Sequence, residues 1–520
     1  MSADTEAATA AAPYDDRSDG RRFMDLFVDR YDDGSDEPDG SDWPDDDWSD
    51  DDRFDDDRYD ARYDDDRFVS LTGWGRTAPT TALLVRPRSY DETVAAVRDG
   101  GARGTIPRGL GRACGDAAQN AGGSVLDMTG LDRIRAIDAT AGVVVCEAGV
   151  SLHRLMEVLL PLGWFLPVTP ETRYVTVGGA IGADVHGRNH PAAGGFSRHV
   201  SSLDLLTADG ERRTVLPGTP LFDATAGGLG LTGVILGATL RLRRVATSLM
   251  SVETERITDF DALLAGLAST DRPGAYAVAW IDLTARGTSL GRSVLTRGDH
   301  TPLNALPARA RRHPLTFRPV FRPGSGEGRL GGPVLVPSSG LLGRATAGLF
   351  NELWYRAAPR HRTGRQQRLP AFFHPLDALP QWNRMYGRDG FVQYQFAVPY
   401  GQEETLRQIL ERIARRGGPV LPAVLGRFGA GGPGWLSFPA PGWTLTLDLP
   451  AGRPGLGRLL DELDDEVAAA GGRVALAKDA RLRPELLATM YPRLAEFRAL
   501  RAALDPGSVF VSDLSRRLSL

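Results

Sequence analysis

PRGLGRACGD, at residues 107–116, and TVGGAIGADVHG, at residues 176–187, are the two stretches of this 520-residue sequence that decide its fold. Glycine removes side-chain bulk, so backbone N–H groups in such loops can approach a phosphate closely. Neither stretch is specific alone, because Gly109-Leu110-Gly111 lacks the third glycine of the Rossmann fingerprint and most such runs are structural turns. Two such loops about 70 residues apart suit a long diphosphate ligand held from both sides.

The pattern around these loops predicts an α+β fold rather than a doubly wound sheet. From residue 104 to residue 242, short β-rich runs alternate with glycine-rich turns and with helical segments such as residues 152–160. Asp209-Gly210 predicts a β-hairpin. Strand-like runs return at residues 391–396 and 443–449, and residues 457–470 have the pattern of an amphipathic helix. This mixture is typical of α+β proteins.

Charge is distributed unevenly along the chain. Residues 1–70 carry a net charge of −18, whereas the other 450 residues carry a net +13. We therefore expect residues 1–68 to be a disordered acidic leader. The sequence has no signal-peptide pattern and no apolar run long enough to span a bilayer, and its two cysteines make no disulfide framework. These features predict a cytoplasmic protein, with membrane or cell-envelope association left open and no nucleic-acid partner.

Composition also sets one segment of the chain apart. Residues 300–345 form a loop with seven arginines, from Arg309 to Arg344, against the single acid Glu327. An ordinary solvated loop and a mobile lid with affinity for phosphate or a membrane surface both remain open.

Lys478 is the only lysine among 61 basic side chains. An ammonium is a compact charge whose pKa can move, whereas guanidinium is planar and permanently charged. Residues 471–479 predict a short apolar strand with Lys478 at its end, where catalytic side chains are commonly presented. The alternative is that a GC-rich genome left one lysine behind by drift.

Several runs together resemble the FAD-binding vanillyl-alcohol-oxidase superfamily and, within it, the flavoprotein subunits of decaprenylphosphoryl-β-D-ribose 2′-epimerases. The resemblance covers the chain from about residue 69 to the C-terminus. The runs that carry it are residues 71–79, 108–120, 175–190, 204–211, 352–356, 393–396 and 477–479.

The resemblance implies a two-subdomain PCMH-type FAD-binding domain at residues 69–248 and an α+β substrate (cap) domain built on an antiparallel sheet at residues 249–472. It also implies a C-terminal segment at residues 473–520 that returns to the FAD-binding domain. It implies FAD-dependent oxidation of the 2′-hydroxyl of a polyprenylphosphoryl-β-D-ribofuranose to a ketone. A separate NAD-dependent short-chain reductase would then complete epimerisation to the arabinose donor for cell-wall arabinan. The partners implied are thus a lipid-linked sugar phosphate, the reductase and a membrane surface.

Site residues follow from the same resemblance. Lys478 and His186 are the candidate catalytic residues, although His186 could equally be a structural histidine. The candidate substrate-binding residues are Gln395, Arg384, Trp280, Phe373 and Thr446, and core packing is an alternative for Trp280. The candidate cofactor-binding residues are Arg108, Gly109, Leu110, Gly111, Arg112, Ala113, Cys114, Ala118, Pro170, Thr172, Thr176, Gly178, Gly179, Ala183, Asp184, His186, Gly187, Gly230, Ile235 and Lys478. No metal site is expected.

Related flavoproteins often bind FAD covalently through a histidine in the first glycine loop. Arg112 occupies that place here, so we expect non-covalent FAD, with a flavin link through Cys114 as a weaker alternative.

Departures from the family pattern concentrate near the pocket. Thr446 stands where mycobacterial members have a cysteine that covalent inhibitors target. Cys114, Ala475 and Phe373 replace tyrosines, Gly426 replaces a lysine and Glu171 replaces a glycine. This pattern predicts the same redox chemistry on a substrate that can differ. An aldonolactone- or alditol-type oxidase that uses oxygen, and a catalytically impaired flavin-binding scaffold, are the alternatives.

Overall fold

The structure is a computed structural model that describes residues 67–269, 275–308, 310–317, 344–379, 381–416 and 423–520. The predicted acidic leader, apart from its last two residues, and residues 318–343 of the arginine-rich loop lie outside the described residues. Within these ranges, no helix has the length and apolar character needed to cross a membrane.

The first sheet carries the first glycine loop. Its strands lie in the order β1-β2-β4-β3, with β4 parallel to both neighbours. The helix α1 begins after Ser89, whose hydroxyl accepts a hydrogen bond from the Glu92 backbone N–H at 3.1 Å, as an N-cap does. The elements are β1 (Arg67–Leu71), β2 (Thr80–Val85), α1 (Tyr90–Arg98), β3 (Thr105–Arg108) and β4 (Ser124–Asp127).

The second sheet is antiparallel and carries the second glycine loop. Its order is β5-β6-β10-β8-β9, and the turn at Asp209-Gly210 joins β8 to β9 as predicted, with Gly210 at φ +81°. The strands β7 and β11 form a separate pair. The elements are β5 (Ile134–Asp138), β6 (Val143–Glu147), α2 (Leu152–Leu159), β7 (Trp164–Phe165), α3 (Val177–Gly182), α4 (His190–Ala193), β8 (Val200–Leu206), β9 (Arg212–Val215), α5 (Pro220–Thr225), β10 (Val234–Arg241) and β11 (Arg243–Arg244).

The third sheet has eight strands, in the order β15-β12-β14-β13-β17-β18-β16-β19, and its neighbouring strands pair antiparallel. The mixture of helices and mainly antiparallel sheets confirms the predicted α+β class. The elements are β12 (Leu249–Ile257), α6 (Phe260–Ala268), β13 (Tyr276–Ile281), β14 (Ser293–His300), α7 (Arg344–Ala357), β15 (His361–Arg368), α8 (Leu369–Phe373), β16 (Phe391–Val398), α9 (Glu403–Arg416), β17 (Ala423–Phe428), β18 (Gly442–Pro450), α10 (Leu456–Ala469) and β19 (Arg473–Val474).

Strand β18 shows why this sheet has two different faces. Its sequence GWTLTLDLP alternates, and successive side chains of a strand point to opposite faces. Leu445, Leu447 and Leu449 are fully buried in the core that α9 and α10 cover. Thr444, Thr446 and Asp448 therefore lie on the other face.

The C-terminal segment packs against the first sheet. The backbone N–H of Val511 donates to the Thr105 carbonyl at 2.9 Å, and the N–H of Thr105 donates to the Val509 carbonyl at 2.7 Å. Residues after β19 thereby extend the β3 edge. The segment contains α11 (Pro484–Met490), α12 (Leu494–Leu504) and α13 (Asp513–Leu518).

The predicted strand ending at Lys478 is wrong in length. Strand β19 ends at Val474, and Lys478 lies in a following turn, with its backbone N–H donating to the Ala475 carbonyl at 3.1 Å. The cause is tertiary: Arg517 of α13 pairs with Asp479 at 2.9 Å and with Asp116 after the first glycine loop at 2.8 Å. These ion pairs hold the turn on the loop rather than in the sheet.

Replacing Arg517 with alanine should lower the free energy of unfolding by about 3 kcal/mol, because two mostly buried carboxylates would lose their counter-charge. Urea unfolding followed by circular dichroism measures the loss. The exposed Arg458 of α10 provides the control, since its alanine variant should change stability by less than about 0.5 kcal/mol. Equal losses in both variants would contradict this account.

Candidate functional site

An elongated cavity runs between the two glycine loops and the polar face of the third sheet. It is lined by every predicted cofactor-binding residue except Asp184, and by Gln395 and Thr446 among the predicted substrate-binding residues. Arg384, Trp280 and Phe373 do not line it. The structure therefore brings most of the predicted site together and leaves four of its members outside.

The two glycine loops touch directly at Gly109. A Cβ atom on Gly109 would lie 2.2 Å from the Thr176 hydroxyl oxygen, closer than side chains tolerate. That hydroxyl is the N-cap of α3 and accepts a hydrogen bond from the Gly179 backbone N–H at 3.1 Å. Glycine at position 109 is therefore required by close approach of the loops.

The first loop offers the hydrogen-bond donors that a diphosphate needs. Among the residues that the structure describes, the backbone N–H groups of Gly109, Leu110 and Gly111 donate to no protein acceptor. The Arg108 guanidinium supports this loop by donating to the Thr72 carbonyl at 2.8 Å and the Ala118 carbonyl at 3.1 Å. Three N–H groups that donate to no protein acceptor, on a loop that Arg108 holds in place, fit the diphosphate of FAD.

Arg112 supplies positive charge at the end of this loop. Its guanidinium carbon lies 3.9 Å from the centroid of the Trp74 ring, a cation–π contact that holds the side chain flat. The Tyr174 ring is 5.5 Å away on the second loop's side of the cavity. Arg112 thus contacts an aromatic ring on either side of its guanidinium-bearing loop, Trp74 closely and Tyr174 at longer range.

The turn that carries Lys478 is pressed against the first loop. The Cys114 backbone N–H donates to the Ala477 carbonyl at 3.2 Å, and a Cβ atom on Gly115 would lie 1.6 Å from the Asp479 carbonyl oxygen. The Lys478 side chain is 23% exposed, and its ammonium nitrogen lies 4.0 Å from a carboxylate oxygen of Glu171. One compact charge is thereby fixed at the wall of the cavity.

His186 is held by the third sheet. The Gln395 side-chain amide donates to His186 Nε2 at 3.0 Å, and the Phe428 ring lies 4.8 Å from the imidazole. Burial, followed by the nearby charge of Lys478, holds the pKa of His186 well below its usual range. The imidazole is therefore neutral and its acceptor nitrogen is occupied. This favours the structural alternative, in which His186 orients Gln395, over proton acceptance from a substrate.

Five polar side chains of β16 and β18 form the floor of the cavity. Gln395 lies opposite Thr446, and Gln393 lies opposite Asp448 in the antiparallel register. Gln393 accepts from the Cys114 thiol at 3.3 Å and donates to Asp448 Oδ1 at 2.8 Å. The floor residues are Gln393, Gln395, Thr444, Thr446 and Asp448.

Sequence reasoning assigned no role to Gln393, Thr444 or Asp448. The alternation of polar and apolar residues in TLTLD, residues 444–448, is the signal that identifies the polar face.

Asp448 on the floor and Cys114 beside it have strongly raised pKa values. Burial raises the pKa of Asp448 to about 8 and the charge of Glu171 adds to the rise, while the hydrogen bond from Gln393 and the charge of Lys478 oppose it. Burial likewise raises the pKa of the Cys114 thiol to about 12. Since the thiolate is the nucleophile, Cys114 is poorly suited to link a flavin.

The four predicted residues outside the cavity have other contacts. Asp184 is fully buried and accepts from the Ser437 hydroxyl at 2.6 Å and the Ser197 N–H at 2.9 Å. Phe373 is 1% exposed and packs on Tyr276. Trp280 contacts Trp354 at 6.2 Å between ring centroids, and Arg384 lies in a single 3₁₀ turn whose Trp382 lines the cavity instead. These residues match site positions of the resembling family in sequence, but they do not line the cavity here.

The chain is similar to several known proteins. The family model described as FAD binding domain matches residues 81–216, and that described as D-arabinono-1,4-lactone oxidase matches residues 391–518. The decaprenylphosphoryl-beta-D-ribose oxidase of Mycolicibacterium smegmatis is 42% identical over 86% of this chain and 97% of its own. An uncharacterised protein from the mprA 5′ region of Streptomyces coelicolor is 54% identical over 71% of this chain and 100% of its own.

A solved structure, BBE-like 1 of Physcomitrella patens, is similar at a TM-score of 0.58 and 15% identity, covering 83% of this chain and 90% of that one. The fold and the site define an FAD-dependent oxidoreductase with the predicted PCMH-type architecture. The chain belongs to the decaprenylphosphoryl-β-D-ribose oxidase family.

Replacing Gly109 with alanine should weaken FAD binding at least about tenfold, a cost of about 1.4 kcal/mol, because the new methyl group would push the first loop from Thr176. Fluorescence titration of the apoprotein with FAD measures the dissociation constant. Gly457, which has open space around its Cβ position on α10, provides the control. FAD affinity unchanged in Gly109→Ala, or equally weakened in Gly457→Ala, would contradict the contact argument.

Proposed function

We propose that this protein uses non-covalently bound FAD to oxidise the 2′-hydroxyl of a polyprenylphosphoryl-β-D-ribofuranose to the 2′-keto sugar. An NAD-dependent short-chain reductase would complete the epimerisation. The observation that carries the proposal is the polar floor of Gln393, Gln395, Thr444, Thr446 and Asp448, which faces the FAD-binding loops beside Lys478. The name of the Mycolicibacterium smegmatis relative gives the substrate class.

FAD supplies the two-electron acceptor for this reaction. Its diphosphate would be held by the backbone of Gly109, Leu110 and Gly111 and by α3 after Thr176. Lys478 places a fixed positive charge at the cavity wall, where it would stabilise negative charge that develops during the reaction. An arginine at this position would bring a larger, planar group into a turn that is already in contact with the first loop.

The floor suits a substrate with several hydroxyl groups. Gln395 Oε1 and Asp448 Oδ2 are buried acceptors that have no hydrogen-bond partner among the described residues. Buried acceptors usually find partners, so two hydroxyl donors from a sugar would satisfy them. Arg188 and Arg427 line the same cavity and suit a phosphate.

The floor also has room where relatives carry a longer side chain. A Cβ atom on Gly426 would meet only a methyl carbon of Thr444, at 3.7 Å. Packing therefore does not require glycine at position 426. Because this glycine stands where relatives have a lysine, space would be left beside the substrate. A sugar or linkage that differs from the relative's substrate would be accommodated at this position.

A peripheral contact with the membrane surface agrees with a lipid-linked substrate. Leu349 and Leu353 are one turn apart on α7 and are 59% and 44% exposed. This helix follows the arginine-rich part of the chain. We place the protein in the cytoplasm at the membrane surface, with its substrate-binding domain at residues 249–472.

The second candidate is a lactone- or alditol-type oxidase that reduces oxygen, which the D-arabinono-1,4-lactone oxidase model over residues 391–518 favours. The electron acceptor separates the two functions. Peroxide release on aeration with a lactone or alditol would support this candidate.

Prenylphosphoryl ribose added under nitrogen should bleach the flavin of the purified holoenzyme, and stopped-flow absorbance measures the rate. Lys478→Met should slow bleaching by at least about a hundredfold, since one preorganised charge contributes about 3 kcal/mol. Lys478→Arg should recover little of that rate. A flavin that the ribose does not bleach, together with rapid peroxide formation from a lactone, would overturn the proposal.

Thiol-directed covalent inhibitors of mycobacterial relatives should leave this protein active, because the Thr446 hydroxyl is a poor nucleophile and the raised pKa of Cys114 keeps that thiol protonated. Thr446→Cys should create time-dependent inhibition with one adduct by mass spectrometry. Cys114→Ser is the matched control. Labelling of the wild-type protein would contradict this expectation.

A further inference from the structure

We propose that Asp448 is the catalytic base that accepts the hydroxyl proton of the substrate. This inference rests on the proposed function, because it names the residue that completes that reaction. Asp448 lies at the cavity with one unsatisfied oxygen, and the other ionisable groups nearby are engaged in contacts of their own.

Asp448 is buried and yet reaches the cavity. It is 1% exposed and lies on the floor two residues beyond Thr446, on the face shared with Thr444. Its Oδ1 accepts from Gln393 at 2.8 Å, whereas its Oδ2 has no hydrogen-bond partner among the described residues. One oxygen is thus anchored by the sheet, and the other is left for a hydroxyl group of the substrate.

The other candidate bases are less suitable. His186 already accepts the Gln395 amide at its Nε2. Glu171 is 51% exposed and already has an ion-pair partner, the Lys478 ammonium at 4.0 Å. Cys114 donates its thiol proton to Gln393. Asp377 also lines the cavity, but its carboxylate accepts the Arg173 backbone N–H at 2.9 Å. Asp448 is the remaining carboxylate among the described residues that line the cavity.

The electrostatic surroundings of Asp448 suit a base near neutral pH. Burial, together with the charge of Glu171, raises its pKa to about 8, and the Gln393 hydrogen bond and the charge of Lys478 limit the rise. Two further ionisable groups near Asp448 are Cys114 and Tyr386, both of which are neutral at this pH because burial raises their pKa values. A base works best when its pKa lies near the working pH.

The reaction balances with this assignment. The sugar C–H bond breaks and its hydrogen leaves with the electron pair, which bound FAD would accept as the two-electron oxidant. The sugar O–H bond breaks, its proton passes to Asp448 Oδ2, and the electrons of that bond form the C=O bond of the ketone. The products are the 2′-keto sugar, reduced FAD and the carboxylic acid form of Asp448.

Anaerobic bleaching of the flavin by prenylphosphoryl ribose between pH 5.5 and 9.5 tests the assignment. In the wild-type holoenzyme, the bleaching rate should rise with pH and level off above about 8, because only the carboxylate accepts a proton. Asp448→Asn should reduce the rate by at least about a hundredfold and remove this pH step. The variant can keep the hydrogen bond from Gln393, and unchanged FAD affinity would show that it folds.

Glu171→Gln provides the matched electrostatic variant. Removing the neighbouring negative charge should lower the pKa of Asp448 and move the pH step toward acid, whereas Lys478→Met should move it toward alkali. A readout without turnover is the carboxyl ¹³C NMR signal of Asp448 in the FAD-loaded protein. This signal should titrate near pH 8, disappear in Asp448→Asn and shift with the Glu171 variant.

The outcomes separate the two proposals. A wild-type flavin that prenylphosphoryl ribose does not bleach would overturn the proposed function and this assignment with it. If the wild-type flavin is bleached and Asp448→Asn bleaches at the same rate with the same pH step, only the assignment of Asp448 is overturned. A carboxyl signal that titrates below pH 5 would also overturn it.

Discussion

The close packing of three backbone segments is the constraint on which the rest of the structure depends. Gly109 lies against Thr176 of the second loop, and Gly115 lies against the Asp479 carbonyl of the turn that carries Lys478. Neither contact leaves room for a Cβ atom. The donors of the first loop and the charge of Lys478 are therefore fixed relative to each other before any ligand binds, which is the preorganisation that electrostatic stabilisation requires.

The third sheet adds the chemistry through its two unlike faces. One face packs its leucines on α9 and α10, which makes β16 and β18 rigid. The same strands present Gln393, Gln395, Thr446 and Asp448 to the cavity from the other face. A rigid floor can hold the buried Asp448 carboxyl with its Oδ2 atom unpaired. Close packing prevents neighbouring side chains from moving to donate a hydrogen bond to that oxygen.

Much of the fold was predictable because its signals are local. The glycine loops, the hairpin at Asp209-Gly210, the helix at 152–160 and the strands at 391–396 and 443–449 all follow from short sequence patterns, and the structure contains them. The role of Lys478 remains a prediction, although its side chain lies at the cavity.

The parts that sequence reasoning missed depend on distant contacts. Strand β19 is short because Arg517 holds the following turn elsewhere. Trp280 and Phe373 were assigned by position alone, and their side chains contact the rings of Trp354 and Tyr276 instead. Cys114, Gln393 and Asp448 come together although they are distant in sequence. The hydrogen bond from Cys114 to Gln393 alone joins residues 279 positions apart, which no local pattern encodes.

The ion pairs of Arg517 have a consequence for how the protein is made. Arg517 and Asp116 are 401 residues apart, so the first loop gains this support only after those further residues have left the ribosome. Contacts of such long range slow folding and leave incomplete intermediates exposed. We expect nascent chains that stop before α13 to be clients of chaperones, with the flavin captured only after synthesis has passed the last helix.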